Sequence, residues 1–161
     1  MLKNKIITII GTGNMGEANL SGLISSGSSH PKNIVCTDIR EDKLKSMEEK
    51  YGVATTADNI KAVEASEIII YAVKPQIIAS VLRETASCLD MSKLIISIAA
   101  GVPLAAIESC LNKELRLIRV MPNIAAFVKE SASVIAAGGK ATQEDIKLSL
   151  AIFDSMGKSI F

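Results

Sequence analysis

The chain has 161 residues, which is enough for one domain with a sizeable core. Its formal net charge of +1 and its 3% of aromatic residues give no reason to expect a nucleic acid or an anionic membrane as partner. No apolar run approaches the roughly 20 residues of a membrane span, and the apolar start is too short for a signal peptide, so we interpret that start as a first strand.

Short stretches rich in Ile and Val predict β-strands, because consecutive apolar residues are typical of strands covered on both faces of a parallel sheet. The predicted strands are 5–10, 33–38, 67–73, 93–99, 115–120 and 133–138. Helical patterns fill the intervals, at 15–26, 41–50, 57–64, 75–87, 103–111 and 142–156. Asp58 and Pro75 suit the first turns of the third and fourth helices, and Thr142 followed by Asp145 suits the start of the last.

Strands and helices in alternation predict an α/β fold with a doubly wound, mostly parallel sheet of the Rossmann type. We expect residues 1–161 to form one domain. The final residues, KSIF, resemble the start of a further strand.

The stretch 9–18, IIGTGNMGEA, places Gly-x-Gly-x-x-Gly between the first strand and the first helix. The spacing alone is a weak signal, but dinucleotide binding requires this strand–turn–helix context. Gly11 would permit the tight turn, Gly13 would let a pyrophosphate approach the backbone, and Gly16 would let the helix pack closely on the strand. The motif therefore predicts that residues 1–161 are a dinucleotide-binding domain, with NAD or NADP at the helix N-terminus. A glycine-rich turn without a ligand is the alternative.

Two residues after the second strand give opposite indications about which dinucleotide binds. Asp38 could accept hydrogen bonds from a ribose 2′-hydroxyl and repel a 2′-phosphate, which favours NAD. Arg40 could instead bind a 2′-phosphate, or it could be a solvated residue at the start of a helix. The choice between NAD and NADP stays open at this point.

Other strand ends carry unusual residues. Lys74 precedes Pro75 in YAVKPQ, small residues end the strand in SIAAGVP, and Asn123 ends VMPN with an amide group. All follow strand carboxyl ends, the edge at which such sheets bind ligands. A solvated lysine, an ordinary loop and a capping asparagine are the alternatives.

The cysteines and the histidine carry no clear chemistry. Cys36, Cys88 and Cys110 are odd in number and lack a paired motif, so a disulfide framework and a metal site are not expected. We expect small buried apolar residues in a protein of the reducing cytoplasm. His30 lies in the turn-rich GSSHPKN, where a solvated loop residue is favoured over an acid–base catalyst.

The motifs IIGTGNMGEA, AVKPQ, SIAAGV and RVMPN, in that order, resemble the cofactor domain of pyrroline-5-carboxylate reductases over residues 5–157. The resemblance implies a step of proline biosynthesis, the reduction of the small cyclic imine 1-pyrroline-5-carboxylate to L-proline with NADPH or NADH. It implies cofactor contacts at Ile10, Gly11, Thr12, Gly13, Asn14 and Met15, at Ala72, Val73, Lys74 and Pro75, and at Ile98, Ala99 and Ala100. It also implies that Asn59 lies on the adenosine side and that Pro122 and Asn123 lie near the nicotinamide.

No residue stands out as a catalytic acid. An iminium carbon is already electrophilic, so the implied hydride transfer needs positioning more than proton donation. Lys74 is the best ionisable candidate near the nicotinamide, and positioning the cofactor is its favoured role.

Two departures from the family pattern leave alternatives open. Ile124 and Ala125 replace the usual Thr-Pro after MPN, and residues 129–131 replace a usual Gly-Glu-Gly. Relatives also carry a second, helical domain that dimerises and supplies most of the proline pocket, and we expect homo-oligomers only with that domain. A non-catalytic NAD(P)-binding regulatory module and a reductase of another small imine or carbonyl are the alternatives.

Overall fold

The computed structural model describes residues 1–123, 125, 126 and 130–161. An eight-stranded sheet of order β3-β2-β1-β4-β5-β6-β7-β8 forms its centre. The strands are β1 (Ile7–Ile10), β2 (Ile34–Thr37), β3 (Ala54–Thr56), β4 (Ile68–Tyr71), β5 (Leu94–Ser97), β6 (Arg116–Met121), β7 (Ser131–Ala137) and β8 (Gly157–Ile160). The helices are α1 (Asn14–Ser25), α2 (Glu41–Tyr51), α3 (Asn59–Glu64), α4 (Ile78–Thr85), α5 (Leu104–Leu111) and α6 (Gln143–Phe153).

The sheet is parallel except at the pairing of β6 with β7, which is antiparallel. β1 lies between β2 and β4, so successive strands are added in one direction from β1 and then in the other. This order is that of a doubly wound sheet, and it confirms the predicted fold class. The change of direction creates a crevice at the carboxyl end of β1.

Apolar side chains fill both faces of the sheet. On one face Ile7 and Ile9 join a core cluster with Leu23 of α1 and Phe153 of α6. On the other face, Ile10 joins a cluster with residues of α4 and α5. Burial on both faces explains why the strands are continuous apolar runs in the sequence.

Local capping signals fix where several helices begin. The Asp58 side chain accepts a hydrogen bond from the backbone of Lys61 and caps α3. Thr142 and Asp145 form a reciprocal capping box at the start of α6, as their spacing predicts.

The prediction that Pro75 opens the fourth helix is wrong. Helix α4 begins at Ile78, and Pro75 lies in a turn closed by a hydrogen bond from Ile77 N to Lys74 O of 3.1 Å. The φ angle that proline imposes suits both the second residue of such a turn and the first turn of a helix. The residue type alone therefore could not distinguish a turn at Pro75 from the start of a helix.

Strand β3 was not predicted. It has only three residues, Ala54–Thr56, and pairs with β2 at the edge of the sheet. A short edge strand with partly exposed polar residues has no apolar run to reveal it. The strand predicted at KSIF is confirmed as β8. In the part of the chain that the structure describes, no helix has both the length and the apolar character needed to cross a membrane.

Candidate cofactor site

The carboxyl ends of the central strands lie side by side at one edge of the sheet. Three backbone hydrogen bonds continue the ladder one residue past the strands: Gly11 N to Thr37 O at 2.8 Å, Ala72 N to Ile10 O at 2.8 Å, and Ile98 N to Tyr71 O at 3.1 Å. The segments that follow β1, β4 and β5 therefore begin at the same level, beside the crevice at β1.

Each glycine of the motif has a different steric environment. Gly11 has φ +96°, and a Cβ there would lie 2.8 Å from the carbonyl oxygen of Ala72. A Cβ on Gly16 would lie 1.9 Å from the carbonyl oxygen of Gly11. Gly13 has no atom within 4 Å of its Cβ position. Gly11 and Gly16 are therefore needed for the turn and the helix contact, while Gly13 faces open space.

The N-terminus of α1 is free of side-chain capping. Its N-cap residue is Gly13, and among the residues that the structure describes no side chain caps this first turn. The N–H groups of a first helical turn have no partner within the helix, and they attract anions. Both Gly13 and Asn14 are exposed, so this end of the helix is open to a ligand.

Asp38 binds the glycine turn. Its Oδ2 accepts hydrogen bonds from the backbone N and the hydroxyl of Thr12, at 2.8 and 2.7 Å, and its Oδ1 accepts one from Arg40 N at 3.0 Å. Burial of Asp38 opposes ionisation, but these hydrogen bonds outweigh it and hold the pKa of Asp38 below its usual value. The group is therefore an anion at neutral pH.

Asn59 is held from two sides. Its Oδ1 accepts a hydrogen bond from the Thr37 hydroxyl at 2.6 Å, and its Nδ2 donates to Glu84 Oε2 at 3.1 Å. These bonds fix the first residue of α3 against the end of β2. Asn59 lines the same cavity as Asp38.

A cavity of about 370 Å³ lies at the strand ends. It joins the turn after β1, the end of β2 and the turn after β4. The predicted residues that line it are Ile10, Gly11, Gly13, Asp38, Arg40, Asn59, Ala72, Val73 and Lys74.

Sequence reasoning missed four further wall residues, Thr37, Ile39, Ile77 and Val81. Ile39 is 90% exposed and Ile77 is 46% exposed. Large exposed apolar side chains at the mouth of a cavity are available to cover a ligand. The only feature of the sequence that could have revealed Ile39 as a wall residue is its position between the predicted residues Asp38 and Arg40.

The remaining predicted residues lie beside the cavity or farther along the sheet edge. Thr12 and Gly16 are buried, Met15 is half-buried, and Asn14 and Pro75 are exposed. After β5, Ile98 and Ala99 are buried and Ala100 is exposed.

Pro122 and Asn123 follow β6, which β5 separates from β4. Asn123 Oδ1 accepts a hydrogen bond from Ala125 N at 3.1 Å, as in a capping residue. The departures at Ile124 and Lys129 fall outside the described residues, as do Phe127 and Val128.

The other candidate side chains lie away from this cavity. Burial raises the pKa of the Cys36 thiol to about 12, so this thiol stays protonated, while Cys88 and Cys110 are half-buried. His30 accepts a hydrogen bond from Lys32 N in an exposed turn. Within residues 1–123, 125, 126 and 130–161, no group of His, Cys, Asp or Glu side chains could hold a metal ion.

Residues 6–101 match the sequence model of a protein family described as NADP oxidoreductase, coenzyme F420-dependent. The chain belongs to this family. The part of this chain that matches the NADP oxidoreductase family includes the glycine turn, Asp38 and the segment after β4.

The chain is also similar to individual reductases. A pyrroline-5-carboxylate reductase of Methanosarcina acetivorans is 45% identical over 159 residues, which cover 99% of this chain and 59% of the relative. This identity confirms the resemblance indicated by the motifs. The chain thus spans about three-fifths of the length of that curated relative.

Solved reductases have the same fold. The pyrroline-5-carboxylate reductase of Coxiella burnetii matches with a TM-score of 0.94 and 34% identity, over 98% of this chain and 58% of its own. The pyrroline carboxylate reductase of Plasmodium falciparum, solved with NADP bound, matches with a TM-score of 0.89 and 26% identity, over 99% of this chain and 58% of its own.

Proposed function

We propose that this chain is the NAD(P)H-binding part of a reductase that converts 1-pyrroline-5-carboxylate to L-proline. The observation that carries the proposal is the meeting of the glycine turn and the segment 72–74 in one cavity at the carboxyl end of β1. The 45% identity to the Methanosarcina reductase and the NADP bound to the Plasmodium structure support it. Bound NAD(P)H would supply the hydride, from carbon 4 of its nicotinamide.

The glycine turn fits a pyrophosphate. The open space at Gly13 would let phosphate oxygens approach the backbone, and the uncapped first turn of α1 would provide N–H donors and a favourable dipole. The cavity of about 370 Å³ is in the range of sites for small molecules, roughly 300–1,000 Å³.

The end of the cavity at β2 and α3 fits an adenosine. Asp38 would accept a hydrogen bond from a ribose hydroxyl, and Ile39, Ile77 and Val81 would pack against the apolar faces of the adenine. Asn59, held by Thr37 and Glu84, would form a rigid wall there.

The nicotinamide would lie toward β4, β5 and β6. Ala99 and Ala100 leave room for a flat ring, and we place Pro122 and Asn123 beside it. Asn123 Oδ1 caps the following turn, which leaves its amide N–H groups to donate.

The chain's contribution to the chemistry would be positioning and the exclusion of water, because a protonated imine already accepts hydride. Lys74 is exposed at the cavity, where it would orient the cofactor. A cytoplasmic location is part of the proposal, since three free cysteines suit a reducing compartment. A helical domain outside these 161 residues would complete the imine pocket and form homo-oligomers.

Titration of the 161-residue chain with NADH and NADPH tests the proposal. Nicotinamide fluorescence should rise saturably with at least one of them. If a folded chain binds neither at millimolar concentration, the proposal is wrong. If it binds a cofactor but no form of the protein reduces the imine, a non-catalytic module or another small imine or carbonyl substrate is favoured.

A further inference from the structure

The carboxylate of Asp38 is fixed at the cavity wall. It accepts two hydrogen bonds from Thr12 and one from Arg40 N, all between 2.7 and 3.0 Å. Thr12 is only 1% exposed and belongs to the glycine turn. Asp38 therefore cannot turn away from the cavity without losing both hydrogen bonds from Thr12.

The guanidinium of Arg40 is not fixed in this way. Arg40 is exposed, and its backbone N–H is the group that binds Asp38. Among the described residues, the Arg40 side chain has no hydrogen bond or ion pair within the usual distances. An unrestrained arginine loses rotamer freedom when it binds a phosphate, whereas Asp38 is already ordered.

We propose that this cavity selects a dinucleotide without a 2′-phosphate, so that NADH binds more tightly than NADPH, and that Asp38 is the specificity-determining residue. This proposal rests on the proposed function, because it requires a dinucleotide in this cavity.

The chemistry of the two ribose substituents is the reason for the selection. A carboxylate has about four acceptor positions, and Thr12 and Arg40 use three of them, which leaves room for a 2′-hydroxyl to donate. A 2′-phosphate has only acceptor oxygens and a negative charge to present to the same group. Repulsion between the Asp38 carboxylate and a 2′-phosphate would exclude NADPH efficiently, because the carboxylate is held in place and cannot move aside.

Binding measurements on a set of variants test this. For the wild-type chain, fluorescence titration should give a dissociation constant for NADH at least about tenfold below that for NADPH. Asp38→Asn keeps an acceptor for Thr12 and removes the charge. The ratio of the NADPH dissociation constant to the NADH dissociation constant should therefore fall to within about twofold of one, mainly through tighter NADPH binding. Asp38→Ser provides a second uncharged variant, and circular dichroism identifies which variants fold.

A control at Glu41 and a test of the competing cavity residue Arg40 separate the effect of Asp38 from that of its neighbours. Glu41→Gln removes a nearby exposed carboxylate that does not line the cavity, and it should leave the ratio unchanged. Arg40→Ala should change the ratio by less than about threefold.

The proposal is overturned if the wild-type chain binds NADPH as tightly as NADH or more tightly. It is also overturned if a folded uncharged variant keeps the wild-type ratio. A selective loss of NADPH binding in Arg40→Ala would identify the guanidinium as the determinant instead. Absence of binding by either cofactor to the folded wild-type chain would contradict the proposed function itself, so the two failures are distinguishable.

Discussion

A Cβ atom on Gly16 would lie 1.9 Å from the carbonyl oxygen of Gly11, so the first turn of α1 rests directly on the turn that follows β1. This contact fixes the position of the helix N-terminus relative to the sheet. Gly13 lies between the two glycines, is exposed, and has no atom within 4 Å of its Cβ position. The same motif thus contains positions required for packing and a position available to a ligand.

Substitutions in the motif should therefore separate folding from binding. Gly16→Ala should lower the free energy of unfolding by at least about 2 kcal/mol, because the added methyl overlaps a backbone atom. Gly13→Val should change stability by only about 1 kcal/mol and should abolish detectable cofactor binding, because the side chain would fill the space for the pyrophosphate. Urea unfolding and nicotinamide fluorescence measure the two effects.

Gly139→Val is the matched control for this pair, since Gly139 also has no atom within 4 Å of its Cβ position and does not line the cavity. It should leave cofactor binding unchanged. Wild-type affinity in Gly13→Val would contradict the placement of the pyrophosphate at this turn.

Ile39→Ala should weaken the binding of NADH and of NADPH equally, by about fivefold, because less apolar surface would be buried against the adenine. Its 90% exposure means that the fold should not be destabilised. Ile160→Ala, at an isoleucine 65% exposed on the edge strand β8, is the control and should bind both cofactors normally. Unchanged binding in Ile39→Ala would mean that the adenine lies elsewhere.

Asp145 should make stability depend on acid pH. It is fully buried, and Arg116 Nε donates to its Oδ1 and Oδ2 at 3.1 and 3.0 Å while Thr142 N donates to Oδ2 at 2.8 Å. Burial disfavours the ionised carboxyl, but these hydrogen bonds outweigh it and lower the pKa of Asp145. A lowered native pKa contributes stability above the unfolded pKa of about 3.9, and this is lost as pH falls through the native value.

Asp145→Asn should therefore lower the free energy of unfolding by about 3 kcal/mol at pH 7, because Arg116 loses its partner. The difference from wild type should persist to about pH 4.5 and shrink at lower pH. Glu49→Gln, in the exposed pair with Lys45, should cost less than about 0.5 kcal/mol at any pH. Urea unfolding at pH 7, 5 and 3 measures this, and a loss that is equal at pH 7 and pH 3 would contradict the assignment.

The features that the sequence predicted well are those whose cause is local. The strand–turn–helix glycine motif, the Thr142–Asp145 capping box and the apolar runs of the parallel strands all depend on residues close together in the chain. The bond between Thr12 and Asp38 joins residues 26 apart, so the sequence could suggest a ribose-binding role for Asp38 but could not reveal that Asp38 holds the glycine turn. Ile39 and Ile77 carry no local mark of a wall residue, because only the fold shows that they border the cavity.

The whole reaction should need more than these 161 residues. The chain covers 59% of the Methanosarcina reductase, and the function proposed above assigns its strand-end segments to a cofactor rather than to a small carboxylated ring. Hydride transfer requires the imine to be held in attack geometry by an enclosing pocket, and poor positioning alone can lower a rate by about 100-fold or more.

We therefore expect the 161-residue chain to bind NAD(P)H but to oxidise it with 1-pyrroline-5-carboxylate at least about 100-fold more slowly than the Methanosarcina reductase does. Fusing the unmatched C-terminal part of that reductase after Phe161 should raise the imine-dependent rate, because it would add the missing walls of the pocket. The fall in absorbance of the reduced nicotinamide, with and without the imine, measures both rates. A full rate from the 161 residues alone would contradict the requirement for a second domain. A fusion that binds the cofactor normally but shows no imine-dependent oxidation would favour the non-catalytic alternative, provided that Gly13→Val in the same fusion abolishes the binding.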